Sequence, residues 1–259
     1  MEQNVDSAPT EYVPRLWKTI RRAGGDVYDN LGLVAAASLI WFVAATLPLF
    51  LGLAIVQSRA LAGVWIAGVL LWTILVTGPI TAGVSQLASN IARRDSPAVT
   101  DILAGARRLL VPAWKLAVTQ IVFSTVAVTD VVFFYSMFIA ARNFAFVIFG
   151  AIALYALIFW AMMVLYQWPL LAEQRPPTFR LIYRSFLFVA DNLFFTTVVF
   201  FVIICLTILC IGPGVALLYM GAAAVTSTTA LRELLRKYGL VEIEPEVVVD
   251  RGWHIGDYK

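Results

Sequence analysis

The stretch LGLVAAASLIWFVAATLPLFLGLAIV, residues 31–56, contains no charged side chain. A helix needs about 20 predominantly apolar residues to cross a bilayer core of ~30 Å. Strands of a membrane barrel would instead alternate with period two over about 10 residues. Comparable apolar runs recur at about 61–91, 116–139, 144–171, 193–211 and 213–231. The whole chain follows suit: its 259 residues are 61% hydrophobic and 14% charged, with a mean hydropathy of +0.85. Soluble domains hold roughly 45–50% apolar and 25% charged residues. The expected class is an all-α polytopic membrane bundle of six transmembrane helices.

Charge gives the expected orientation. Residues 1–30 hold four Lys and Arg, 92–115 hold five, 172–192 three and 232–259 five, leaving only Arg59 and Arg142 on the other side. The positive-inside rule then puts both termini and two loops in the cytoplasm. Three parts follow: a cytoplasmic N-terminal segment 1–30 with an amphipathic helix, a six-helix transmembrane domain 31–238, and a cytoplasmic tail 239–259. Glu2, Asp6, Glu11 and Pro14 precede any long apolar run, so a cleaved signal peptide is not expected and the N-terminus is expected to stay on the mature chain. Because the basic residues lie between apolar runs rather than in one patch, the net charge of +3 does not point to nucleic acid. The partners it implies are the lipid bilayer and proteins reached through cytoplasmic helices.

Pro14, Pro97 and Pro177 stand at nearly equal intervals along the chain. Each is expected in the first turn of an amphipathic helix, where its missing N–H is harmless. The apolar marks are Leu16, Trp17 and Ile20, then Val99, Ile102, Leu103, Ala106 and Leu110, then Phe179, Ile182, Tyr183 and Phe186. Asp29-Asn30-Leu31 and Asp191-Asn192-Leu193 repeat at two of the helix ends. Each unit reads as an interfacial helix followed by a transmembrane hairpin, giving three tandem units of about 80 residues; a six-span chain with cytoplasmic loops of similar length would show the same rhythm.

Gly78-Pro79-Ile80-Thr81-Ala82 interrupts the second span, and a kink is expected at Pro79. Broken helices in transporters form ion or substrate sites, whereas elsewhere such a kink only shapes packing. Gly212-Pro213-Gly214 reads as a tight outer turn. Asp130 is the one acid well inside a predicted span, roughly 22 Å from Lys115 at ~1.5 Å per residue. It is a candidate for transport, or for pairing with Arg142 near the outer surface. Thr77, Thr81 and Gln86 complete the candidate pathway or hinge. Trp17, Trp65, Trp114 and Trp168 fall near span ends, as belt residues do, while Trp41, Trp72 and Trp160 fall deeper and suit buried packing or stacking on sugar rings in a cavity. Cys205 and Cys210, five apart in one apolar stretch, read as buried small hydrophobes.

His254 is the sole histidine and lies in the polar tail, so a histidine triad or a His-containing zinc site in the bundle is not expected. No phosphate loop with its lysine occurs. The chain is expected to be no enzyme and to need no metal or cofactor.

Gly78-Pro79-Ile80-Thr81-Ala82, Arg93-Arg94, Pro97, Asp101 and Trp114-Lys115 together resemble the YesL-like family of bacterial membrane proteins, a family of unknown function. Asn30-Leu31, Leu47-Pro48, Phe179 to Arg184 and Leu231-Arg232-Glu233-Leu234-Leu235 extend the resemblance over most of residues 29–238. The chain departs from it between Pro48 and Gly78, where a stretch long enough for a separate span stands in place of a near-direct junction. The resemblance implies a bacterial plasma-membrane protein that is an accessory to carbohydrate uptake. Three functions follow: an accessory or scaffold subunit, a small autonomous transporter or channel, or an ABC-type permease subunit. The last rests on Leu103-Ala104-Gly105-Ala106, which resembles the cytoplasmic helix such permeases offer their ATPase.

Overall fold

The computed structural model describes residues 16–55, 59–212 and 214–240. Pro14, Pro213, His254 and nearly all of the tail 239–259 lie outside the described residues. Among the described residues the chain is helical with no strand. The helices are α1 (Leu16–Asp29), α2 (Leu31–Ile55), α3 (Arg59–Trp72), α4 (Gly78–Arg93), α5 (Thr100–Arg108), α6 (Leu110–Ala141), α7 (Ala145–Gln174), α8 (Thr178–Asp191), α9 (Leu193–Leu209) and α10 (Met220–Lys237). π-helical segments at Thr73–Thr77 and Val215–Tyr219 lead into α4 and α10.

Four segments are long and apolar enough to cross a membrane: Leu31–Gly52, Leu61–Arg93, Leu110–Ala141 and Ala145–Gln174. The bent pair α8 and α9 makes a fifth if counted as one span, although its two helices meet at 102°. This is fewer than the six expected, and the shortfall lies at 193–211 and 213–231. α9 carries no charged residue but has only 17 residues, about 25 Å at ~1.5 Å per residue. α10 carries Arg232, Glu233, Arg236 and Lys237 in its second half. The second predicted span, 61–91, runs as one 33-residue segment that absorbs the π-turn ahead of Pro79.

α1, α5 and α8 each bury one stripe and expose another. α8 turns Leu181, Ser185 and Phe188 inward while Phe179, Tyr183 and Phe186 lie at the surface. α5 buries Ile102, Gly105 and Ala106 and exposes Val99 and Leu103. α1 buries Thr19, Ala23 and Asp26 and leaves Trp17 77% exposed. In α5 and α8 apolar residues on both faces suit a helix lying between a protein bundle and a lipid interface. Pro97 and Pro177 do not occupy first turns: Pro177 is the extended N-cap of α8, with ψ 147°, and Pro97 precedes α5 by three residues. A fixed φ serves equally well to set the approach of a helix from outside it.

The corners between successive helices share a device. Asn30 donates from Nδ2 to the Asp26 carbonyl at 2.9 Å, and Asn192 to the Phe188 carbonyl at 3.3 Å. Each asparagine's own carbonyl then accepts the first bond of the next helix, from Val34 and Thr196. One residue thus ends one helix and starts another. At the α5–α6 corner Leu109 does this with its backbone alone, its N–H donating to the Gly105 carbonyl and its carbonyl accepting from Ala113.

Packing is concentrated at one end of the bundle. One core joins α6, α7, α8, α9 and α10 around Leu116, Tyr166, Leu170, Leu181 and Leu234. A second joins α2, α4, α5 and α10 around Val34, Leu87, Ile102 and Val225. Beyond Ala117 on α6 and before Trp160 on α7, the paired helices present Phe123, Val126, Phe133, Phe149 and Ile152 outward.

Candidate functional site

The packed end of the bundle is also its charged end. α4 and α5 lie almost backbone to backbone there. A Cβ on Gly83 would stand 2.2 Å from the Ile102 carbonyl oxygen, and one on Gly105 2.8 Å from the Gln86 Cβ. Only glycine allows that approach, and it sets the polar edges of the two helices side by side. Arg108 Nη2 donates to Gln86 Oε1 at 2.9 Å, Gln86 Nε2 to Asn90 Oδ1 at 3.1 Å, and Asn90 Nδ2 to Asp101 Oδ2 at 2.9 Å. The Ala98 N–H ends the chain on the same Asp101 oxygen at 3.0 Å.

The C-terminal turn of α7 brings in Glu173, whose side chain is 4% exposed. Ser89 Oγ donates to Glu173 Oε1 at 2.6 Å, Arg93 donates to Oε2, and Arg232 Nε stands 3.9 Å from Oε1. Arg232 and Arg22 both donate to the Ala92 carbonyl, Arg22 at 3.3 Å. That carbonyl belongs to the last turn of α4, where the helix lacks internal donors and its dipole favours cations. Asp26 faces Arg22 at 3.9 Å, and burial pushes its carboxyl above the usual range against the pull of Arg22.

Between α4, α5 and the end of α7 opens a cleft of about 390 Å³, lined by Gln86, Asn90, Arg93, Asp101, Arg108 and Arg175 among others. Desolvation lowers the Arg108 guanidinium from its usual value, and repulsion from Arg175 and Arg93 adds to the effect. Arg175, the left-handed C-cap of α7 with φ 49°, is exposed at the mouth of the cleft.

The residues singled out from sequence separate into three places. Gly78, Pro79, Thr77 and Thr81 form a tight seam. The Gly78 Cα lies against α6, where an added Cβ would meet Ala117 Cβ at 3.1 Å. Thr81 Oγ1 accepts from Trp41 Nε1 at 2.9 Å and donates to the Thr77 carbonyl at 2.8 Å. Gln86 sits in the cleft wall. Asp130 is exposed on α6, well beyond Ala117, by about 20 Å at ~1.5 Å per residue, and forms no pair with Arg142. Cys205 is exposed and Cys210 buried, both unbridged. Gly105 and Ala106 face inward, while Leu103 is exposed.

Sequence reasoning missed what the tryptophans do. Proline at position i leaves the carbonyl at i−4 without its helical donor. Pro48 frees Ala44, whose carbonyl accepts from Trp72 Nε1 at 2.7 Å and from Thr77 Oγ1 at 3.4 Å. Pro79 frees Leu75, whose carbonyl accepts from Trp114 Nε1 at 3.3 Å. Two further indoles bond across helices, Trp65 to the Pro48 carbonyl at 2.9 Å and Trp160 to Ser124 Oγ at 3.1 Å. The offset of four between proline and acceptor is available in the sequence; the donor on another helix is not.

Fold and site together define an all-helical bundle, with four to five helices long and apolar enough to cross a membrane and a polar cleft at its charged end. No family model, curated protein or solved structure matches the chain.

Proposed function

We propose that the chain is a six-span protein of a bacterial plasma membrane, with both termini in the cytoplasm, that acts as a non-enzymatic accessory or scaffold subunit linked to solute uptake. In this reading α9 and α10 supply the fifth and sixth spans, and the recurring order of one short helix followed by a hairpin makes three tandem units of similar length. The resemblance to the YesL-like family supports the bacterial setting and the link to carbohydrate uptake.

The observation that carries the reading is the gathering of charged side chains from α1, α4, α5, α7 and α10 at one end of the bundle. That end coincides with the basic segments that the positive-inside rule assigns to the cytoplasm. A rigid, charged, water-facing platform suits docking by another protein.

The test is affinity purification of the tagged chain from its native membrane in mild detergent, with mass spectrometry of what accompanies it. Stoichiometric recovery of transporter subunits is expected. Recovery of the chain alone, together with solute flux in proteoliposomes that Asp130→Asn abolishes, would replace this reading with an autonomous carrier.

A further inference from the structure

The cleft between α4, α5 and α7 has a lining that its own groups do not balance. Three guanidiniums reach it, from Arg93, Arg108 and Arg175, against the carboxylates of Asp101 and Glu173. Both carboxylates are committed to the wall. Asp101 Oδ2 takes the Asn90 amide and the Ala98 N–H. Glu173 takes Ser89 and Arg93 and also faces Arg232, so two guanidiniums share one carboxylate.

Arg108 and Arg175 are less committed than Arg93, which Glu173 holds. A guanidinium carries five N–H donors in a fixed fork. Arg108 spends one on Gln86, and the Arg175 side chain makes no hydrogen bond or ion pair with any described residue. Like charges gathered around an open, partly desolvated space favour an anion between them. The hydrogen-bonded series from Arg108 through Gln86 and Asn90 to Asp101 holds one wall in place before any ligand arrives.

We propose that this cleft binds a phosphate group, with Arg108 and Arg175 donating to its oxygens and Arg93 closing the far side. Planar forks match phosphate oxygens two at a time, and arginine holds its charge at every physiological pH. A cleft of about 390 Å³ admits a phosphate together with a small attached polar group. Leu103, 61% exposed on the outer side of α5, puts the cleft beside an apolar surface, the setting in which basic pockets take lipid headgroups. The same chemistry would accept a soluble phosphorylated compound. The site rests on the cleft's geometry and does not depend on the accessory role proposed above.

The experiment uses the full chain in detergent with two probes, inorganic phosphate at matched ionic strength and mixed micelles with phosphatidylglycerol or phosphatidylcholine. Binding is read by thermal shift and by lipid retention in native mass spectrometry. Saturable binding is expected for at least one phosphate probe, weakened about tenfold by Arg175→Gln and unchanged by Arg107→Gln, which alters a neighbouring charge outside the cleft lining. Because the Arg175 side chain has no partner to lose among the described residues, its replacement leaves the fold intact, and Arg108→Lys, keeping charge without the fork, is expected to fall between. Selective retention of phosphatidylglycerol without a response to inorganic phosphate assigns a lipid headgroup; a response to inorganic phosphate assigns a soluble ligand. Absence of saturable binding to either probe, or equal losses in Arg175→Gln and Arg107→Gln, overturns the proposal.

Discussion

Trp72 and Trp114 supply to Ala44 and Leu75 the hydrogen bonds that Pro48 and Pro79 remove. Interhelical bonds in membranes average about 0.6 kcal/mol and reach ~1.7, and a carbonyl left bare in an apolar seam costs more. Trp72→Phe, which keeps an aromatic ring and leaves Thr77 Oγ1 at 3.4 Å as the remaining donor to Ala44, is therefore expected to cost about 1 kcal/mol in reversible unfolding in mixed micelles. Gly83→Ala drives a methyl into the Ile102 carbonyl. A loss of about 1–3 kcal/mol is expected, with faster proteolysis at Arg107 and Arg108 as α5 lifts off α4. Asp26 sets a pH dependence. Its carboxyl titrates above the unfolded value of 3.8 because of burial, so the folded state keeps the proton longer. The associated stability is complete below that value and is lost as pH rises through the folded-state one. Asp26→Asn removes this loss, and melting curves for the two chains from pH 4 to pH 7 should show the wild type falling relative to the variant.

The Asp-Asn-Leu repeat is legible in the sequence as a motif, but its job is not. Asn30 and Asn192 stand at equivalent corners, each closing a short helix and opening the next. Asn192 Oδ1 also accepts from Lys237 Nζ at 2.7 Å, and its Nδ2 donates to the Tyr238 hydroxyl at 3.0 Å, so this corner is tied to the end of α10. Asn192→Ala is expected to cost about 1 kcal/mol or more and to raise amide exchange in the last turn of α8. Long apolar helices are equally legible, because length and composition are local properties. The cleft is not. Arg22 meets Ala92 across 70 residues and Arg232 meets it across 140, and such pairing leaves no periodic trace. Attention to acids inside the apolar runs leads to Asp130. The charges that assemble lie instead at the ends of helices, where each alone looks like an ordinary solvated residue.

Among the described residues the helices are closely packed at the charged end, whereas toward the turn at Arg142 the paired α6 and α7 expose Phe133, Tyr135, Ile148 and Phe149. If six spans cross the membrane with the charged end in the cytoplasm, accessibility must alternate. In a chain with Cys205 and Cys210 replaced by alanine, cysteine introduced at Asp95 should react with an impermeant maleimide only from the cytoplasmic side. One introduced at Asn143 should react only from outside. Labelling of both positions from one face would remove the topology on which the docking platform rests.

The proline–tryptophan pairs bear on how such a chain is made. While α2 stands without α3 beside it, the Ala44 carbonyl bared by Pro48 has no donor in its own helix, because Trp72 lies 28 residues further along the chain. A lone α2 released into hydrocarbon would carry that bare group with it. In a bilayer the hairpin Leu31–Arg93, rather than the single helix, would then be the smallest unit with the Ala44 carbonyl satisfied, and the Leu75 carbonyl would wait for Trp114 on α6.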